Sequence, residues 1–142
     1  MNPRPHMISW RASFRGQGMV EFGLTASAFF LLTFALIQMG IVIYAYNTLG
    51  SATRDAVRYA TLHGPNRTPT AQQSDVKTVL LNNAADLNAS NLTVNLTWPA
   101  DANIPSQSDA KVTASYNYQV QIPFASTVTL TLTASSQMLV EQ

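Results

Sequence analysis

The sequence predicts an α+β protein in which a long N-terminal transmembrane helix extends into a small domain with a second helix and a three-stranded antiparallel sheet. Three observations predict it. Residues 22–53 carry no charged side chain and hold most of the large apolar ones. A helical pattern continues past that run as far as Gly64-Pro65. From Leu92 onward, apolar and polar residues alternate with a period of two in three separate runs.

Composition narrows the class further. Only 11% of the 142 residues are charged and 46% are apolar, whereas about 25% charged is usual for soluble domains. The net charge is +1, which leaves no basic face for neutralising phosphates, so nucleic acid is not an expected partner. There is no cysteine, and therefore no disulfide framework, thiolate metal site or thiol nucleophile.

Residues 1–16 carry Arg4, Arg11 and Arg15 and no acid. Pro3 and Pro5 discourage helix, and arginines beside an apolar run favour the cytoplasmic side. Residues 1–16 are thus expected to be a cytoplasmic leader. Phe22 to Tyr46 follows, polar only at Thr25, Ser27, Thr33, Gln38 and the two tyrosines. As a helix these residues span about 37 Å, enough for a hydrocarbon core of about 30 Å. Their hydroxyls can bond back to the preceding turn. Gln38 and Gly40 suit a close neighbouring helix, and Tyr44 and Tyr46 suit an interfacial belt.

Beyond the membrane the helix turns amphipathic, with Leu49, Ala52, Ala56, Tyr59 and Ala60 on one face and Arg54, Asp55 and Arg58 on another. Gly64 is expected to cap its C-terminus, and Pro65 prevents continuation. A long helix over 17–63 is followed by an outer domain over 64–142. In that domain Thr68 or Thr70 is expected to cap a second helix, with Pro69 in its first turn and Thr70 and Gln73 at capping-box spacing. Val76, Val79, Leu80, Ala84 and Leu87 form its apolar stripe.

The three alternating runs are then half-buried strands. Leu92, Val94, Leu96 and Trp98 face inward in the first. Even positions from Ala110 to Ile122 do so in the second, and Val128, Leu130, Leu132, Ala134, Met138 and Val140 in the third. Trp98, Tyr116 and Tyr118 therefore belong to the core. A meander covered by the second helix and the amphipathic end of the first accounts for all three.

No spacing points to catalysis or to a cofactor. His6 and His63 are far apart, the acids are scattered, and neither a phosphate loop nor a nucleophile elbow occurs. His63 fits a helix C-terminus. Sequons at Asn66, Asn88, Asn91 and Asn95 follow from a composition rich in Asn, Ser and Thr. Arg54 and Arg58 are candidates for contact with lipid headgroups or a partner, and equally for a solvated face.

The most specific feature is the junction RGQGMVEFGL, which places Glu21 at the start of an apolar helix, five residues after Gly16. Buried charges cost about 2.5–3.5 kcal/mol at a membrane centre and less near an interface. By itself, Glu21 is equally explained as an interfacial residue favoured by the helix dipole. A basic leader ending in glycine, followed by this Glu-Phe pair, resembles the class III signal of type IV pilins and pseudopilins. Val20 to Leu24, Ala35 to Gly40 and Ala45 to Thr61 further resemble the TadE-like family of the tight-adherence, or Flp pilus, system, and Leu130 to Glu141 resembles its last strand. Thr25 to Ala28 depart from it where a proline is common, and Gln38 where an acid is common.

The resemblance implies cleavage by a prepilin peptidase between Gly16 and Gln17, with Gly18 the weaker site, and an assembly role for Glu21 and Phe22. It implies a non-enzymatic pseudopilin in the bacterial cytoplasmic membrane, N-terminus inside and C-terminus outside. Its partners would be the peptidase, other pilins through the apolar helix, and an inner-membrane assembly platform. An uncleaved signal-anchored envelope protein with a ligand-binding outer domain is the alternative. An ordinary secreted protein is disfavoured, because the apolar stretch is too long for a signal peptide.

Overall fold

The computed structural model describes residues 14–65, 68–84, 86–100, 109–122 and 126–140. Most of the expected leader lies outside these. The elements run α1 (Phe14–Leu62), α2 (Gln73–Asn83), a 3-10 turn (Ala89–Asn91), β1 (Leu92–Thr97), β2 (Asp109–Val120) and β3 (Val128–Leu139), which is the expected α+β architecture. The chain divides into two units, one ending at Ile37 and one from Gln38 to Gln142.

In the first unit the described residues are all helix, beginning at Phe14. Its large side chains, from Met19 and Phe22 to Phe30, Leu36 and Ile37, are exposed. Apolar surface on this scale requires lipid or protein to cover it. Two hydroxyls are already satisfied inside the helix, because Ser27 donates to the Gly23 carbonyl at 2.8 Å and Thr33 to the Phe29 carbonyl at 2.9 Å. That removes the main cost of placing them in hydrocarbon.

The second unit is built on the C-terminal part of α1. Ala45, Leu49, Ala52, Thr53, Ala56, Val57 and Ala60 are buried, a stripe at spacings of three and four. Four of the seven are alanines. Thr53, the buried polar member, donates to the Leu49 carbonyl at 2.6 Å, leaving no orphaned hydroxyl in the core. Tyr59 is half-buried, and its ring stacks on His63 with centroids 4.4 Å apart.

At the helix end the structure corrects one expectation. No glycine has a positive φ, so Gly64 does not act as a left-handed cap. It is glycine for space: an added Cβ would stand 2.6 Å from Val140 Cγ1. His63 lies at the helix C-terminus, as expected, with Nδ1 3.1 Å from the Tyr59 carbonyl oxygen.

The start of α2 is also corrected. Its N-cap is Gln72 rather than Thr68 or Thr70, and Pro69 precedes the helix instead of occupying its first turn. Asp75 supplies the reason, since its Oδ2 accepts the Gln72 backbone N–H at 3.1 Å. It also brings a negative charge to the first turn. Val76 and Leu80 are buried in full, with Ala84 and Leu87 continuing the stripe and Val79 half-buried. Gln73 Nε2 donates to the Val94 carbonyl at 2.7 Å, tying α2 to β1.

The sheet is an antiparallel meander in the order β1-β2-β3. Its register places even residues opposite even ones, as in Leu92↔Tyr116 and Tyr116↔Leu132, then Val94↔Ala114 and Ala114↔Ala134. Ala110, Val112, Ala114 and Tyr116 are buried, so the even face of β2 is the core face. The opposite face carries hydroxyls and amides across the strands, with Thr131 donating to Asn117 Oδ1 at 3.0 Å and Gln137 to Asp109 Oδ2 at 2.6 Å. Such pairs keep a sheet face wet with few charges.

Candidate functional site

Glycine at 16 and 18 would ordinarily weaken a helix, yet α1 runs through both. The expected scissile bond, Gly16 to Gln17, is therefore helical in the structure. Among the described residues, nothing lies within 4 Å of a Cβ added at either glycine. A glycine within a helix lowers the cost of unwinding it there.

Glu21 and Phe22 lie on the next two turns and are exposed. Gly16, Gln17, Val20, Glu21 and Leu24 line one shallow depression on the helix surface, the grouping that spacings of three and four produce. In this uncleaved chain Glu21 is seven residues inside the helix, beyond the reach of the N-terminal dipole, which fades within the first turn. The dipole thus gives no account of Glu21 in the precursor. A chain starting at Gln17 would place Glu21 four residues from its α-amino group, one turn along the same face, about 6 Å in rise.

Arg54 and Arg58 are exposed on the same face as Ser51 and Asp55, opposite the buried alanine stripe. The arginines belong to the unit beginning at Gln38, and Glu21 to the unit ending at Ile37. Two further contacts escaped the sequence. Tyr44 donates to Asp86 Oδ2 at 2.9 Å, and Val140 closes on Gly64. Tyrosine at the end of an apolar helix reads locally as a membrane belt, and only the fold brings Asp86 to it.

A protein-family model described as TadE-like protein matches residues 16–58. The similarity covers that N-terminal segment, less than half of the chain. The matched residues begin at Gly16 and end at Arg58, so Gly16, Gln17, Glu21, Phe22, Arg54 and Arg58 all fall within them. The whole of the outer domain, residues 64–142, lies beyond the matched segment. Among the described residues one helix, near the N-terminus, is long and apolar enough to cross a membrane. No curated protein and no solved structure matches the chain.

Proposed function

We propose that this chain is a minor pseudopilin, acting by assembly rather than catalysis in a tight-adherence pilus or a related secretion pseudopilus. The observation that carries this reading is the conjunction at the head of the segment similar to TadE: Gly16 at the end of a basic leader, and Glu21 exposed on a long apolar helix. A prepilin peptidase cuts after Gly16 on the cytoplasmic side, and α1 stays in the membrane with the outer domain on the far side. The new ammonium at Gln17 and the Glu21 carboxylate then form a charged pair at the head of the helix.

That pair sets axial register as apolar helices bundle. Two charges withdrawn from water need one another, and a mispaired neighbour leaves one of them uncompensated. Phe22 and the exposed apolar side chains supply the packing surface. Open space around Gly18, Gly23 and Gly40 gives neighbouring helices room to approach closely. The assembly platform and other pilins are the partners of this helix, with Arg54, Arg58 and Asp55 available to a partner outside the membrane.

Glu21→Gln tests the assembly role in cells carrying the cognate pilus system. Peptidase processing should continue, because Gly16 and Gln17 are untouched, while crosslinking of this chain to other pilins and the number of surface pili should fall. Normal crosslinking and normal piliation in that variant would remove Glu21 from the mechanism.

A further inference from the structure

Asparagine followed two residues later by serine or threonine occurs at Asn66, Asn88, Asn91 and Asn95. Composition accounts for the number of these motifs, and the fold separates them. Asn66 lies outside the described residues. Asn95 sits in the middle of β1 opposite Thr113, and the hydroxyl that completes its motif, on Thr97, is turned onto the Lys111 carbonyl at 3.4 Å. Asn91 is half-buried, and the two residues after it, Leu92 and Thr93, are already paired with Tyr116 and Ser115. A strand held in a ladder enters another protein's groove only by giving up its backbone hydrogen bonds.

Asn88, Ala89 and Ser90 are different. All three are exposed and precede the sheet. The Asn88 Oδ1 accepts the Ser90 backbone N–H at 3.0 Å and the Ser90 hydroxyl at 2.7 Å, so the two polar side chains of the motif already stand together. Among the described residues, Asn88 Nδ2 has no hydrogen-bond partner. Beside it Leu87 is buried, and the Asn88 N–H lies 3.4 Å from Tyr116 Oη, which fixes the loop by its backbone and leaves the amide free. Two residues ahead, Asp86 is exposed, with its carboxylate on the Tyr44 hydroxyl.

We propose that Asn88 is an acceptor for N-glycosylation, the donor being an oligosaccharide carried on a membrane lipid diphosphate. In the transfer, Asn88 Nδ2 bonds to the anomeric carbon of the sugar. The bond from that carbon to the diphosphate oxygen breaks, the lipid diphosphate leaves with the electron pair, and the proton lost from Nδ2 passes to a base of the transferase. Loss of that proton moves negative charge onto Oδ1, where two donors from Ser90 are already aimed. The Asp86 carboxylate offers a cationic acceptor groove a handle on the same loop. The transfer rests on the orientation proposed above, with the outer domain beyond the cytoplasmic membrane. A glycan here adds a bulky, hydrated layer to a protein with few charges.

The full chain is co-expressed in bacteria with an oligosaccharyltransferase and a lipid-linked oligosaccharide of known mass, the activity being verified on a secreted acceptor peptide. Intact mass should rise by one glycan, carried on the peptide that contains Asn88. Asn88→Gln and Ser90→Ala should abolish the increment, Ser90→Thr should keep it, and Asp86→Ala should lower occupancy several-fold. Asn91→Gln and Asn95→Gln should leave it unchanged. A second version carries an unstructured tail after Gln142 with the pattern Asp-Leu-Asn-Ala-Ser. Glycan on the tail and none on Asn88 would overturn the acceptor site while the orientation stands, whereas glycan on neither would overturn the orientation and the proposal with it. Glycan on Asn66, Asn91 or Asn95 in place of Asn88 would overturn the choice of this loop.

Discussion

Gly64→Ala tests how the outer domain closes on its anchor helix. Apolar carbons pack at about 3.5–4.0 Å, and the added Cβ would lie 2.6 Å from Val140 Cγ1. Val140 is buried and β-branched, with few rotamers to which it can retreat. Overpacking of this kind costs about 1–3 kcal/mol. Because Gly64 does not have a positive φ, alanine also restricts the unfolded chain and returns about 0.4–1 kcal/mol. The net destabilisation is about 0.5–2 kcal/mol, at about 4–8 °C of melting temperature per kcal/mol for a unit of this size. Val140→Ala alone removes two buried methyl groups and costs about 1.6 kcal/mol. In that background Cγ1 is gone, so Gly64→Ala should become neutral or stabilising. Thermal unfolding of the full chain in detergent micelles, followed by circular dichroism for all four members of the cycle, measures the coupling. The same cost for Gly64→Ala in both backgrounds would refute close approach as the reason for glycine here.

Two further variants separate anchor from core. Leu49 is fully buried on α1, so Leu49→Ala should cost about 2–5 kcal/mol. It should expose residues 64–142 to protease while membrane insertion is unchanged; unchanged protease resistance would contradict the core role of α1. Tyr44→Phe removes the hydroxyl that bonds Asp86. Because Tyr44 is more than half exposed, the loss should be only about 0.5–1 kcal/mol, with faster amide exchange confined to the Asp86 to Asn88 loop. Global loosening in that variant would assign Tyr44 a larger share of the fold than its exposure allows.

Much of the fold was legible because two periodicities are local. The strands declared themselves through residues such as Ala110, Val112, Ala114 and Tyr116, since a sheet with one buried face must alternate. The long helix did so through an uninterrupted apolar run, joined to the Leu49, Ala52, Ala56, Ala60 stripe. What escaped depends on partners distant in sequence. Gly64 before Pro65 has the local form of a cap, while its requirement comes from Val140. Thr70 has the local form of an N-cap, and Asp75 moves the helix start to Gln72 by accepting its N–H. Alternation told which face of β2 points inward, but not that its cover thins beyond Tyr116. At the candidate site, Gly16 and Glu21 stood out through resemblance more than through physics. The structure adds that Glu21 sits too far inside the uncleaved helix for the dipole to account for it.

The proposed assembly role begins with cleavage of the bond after Gly16. Co-expression with a cognate prepilin peptidase, followed by N-terminal sequencing and intact mass of the purified chain, tests it directly. A mature chain beginning at Gln17, and no processing of Gly16→Ala, is the predicted result. A chain that keeps Met1 in the presence of an active peptidase would contradict it.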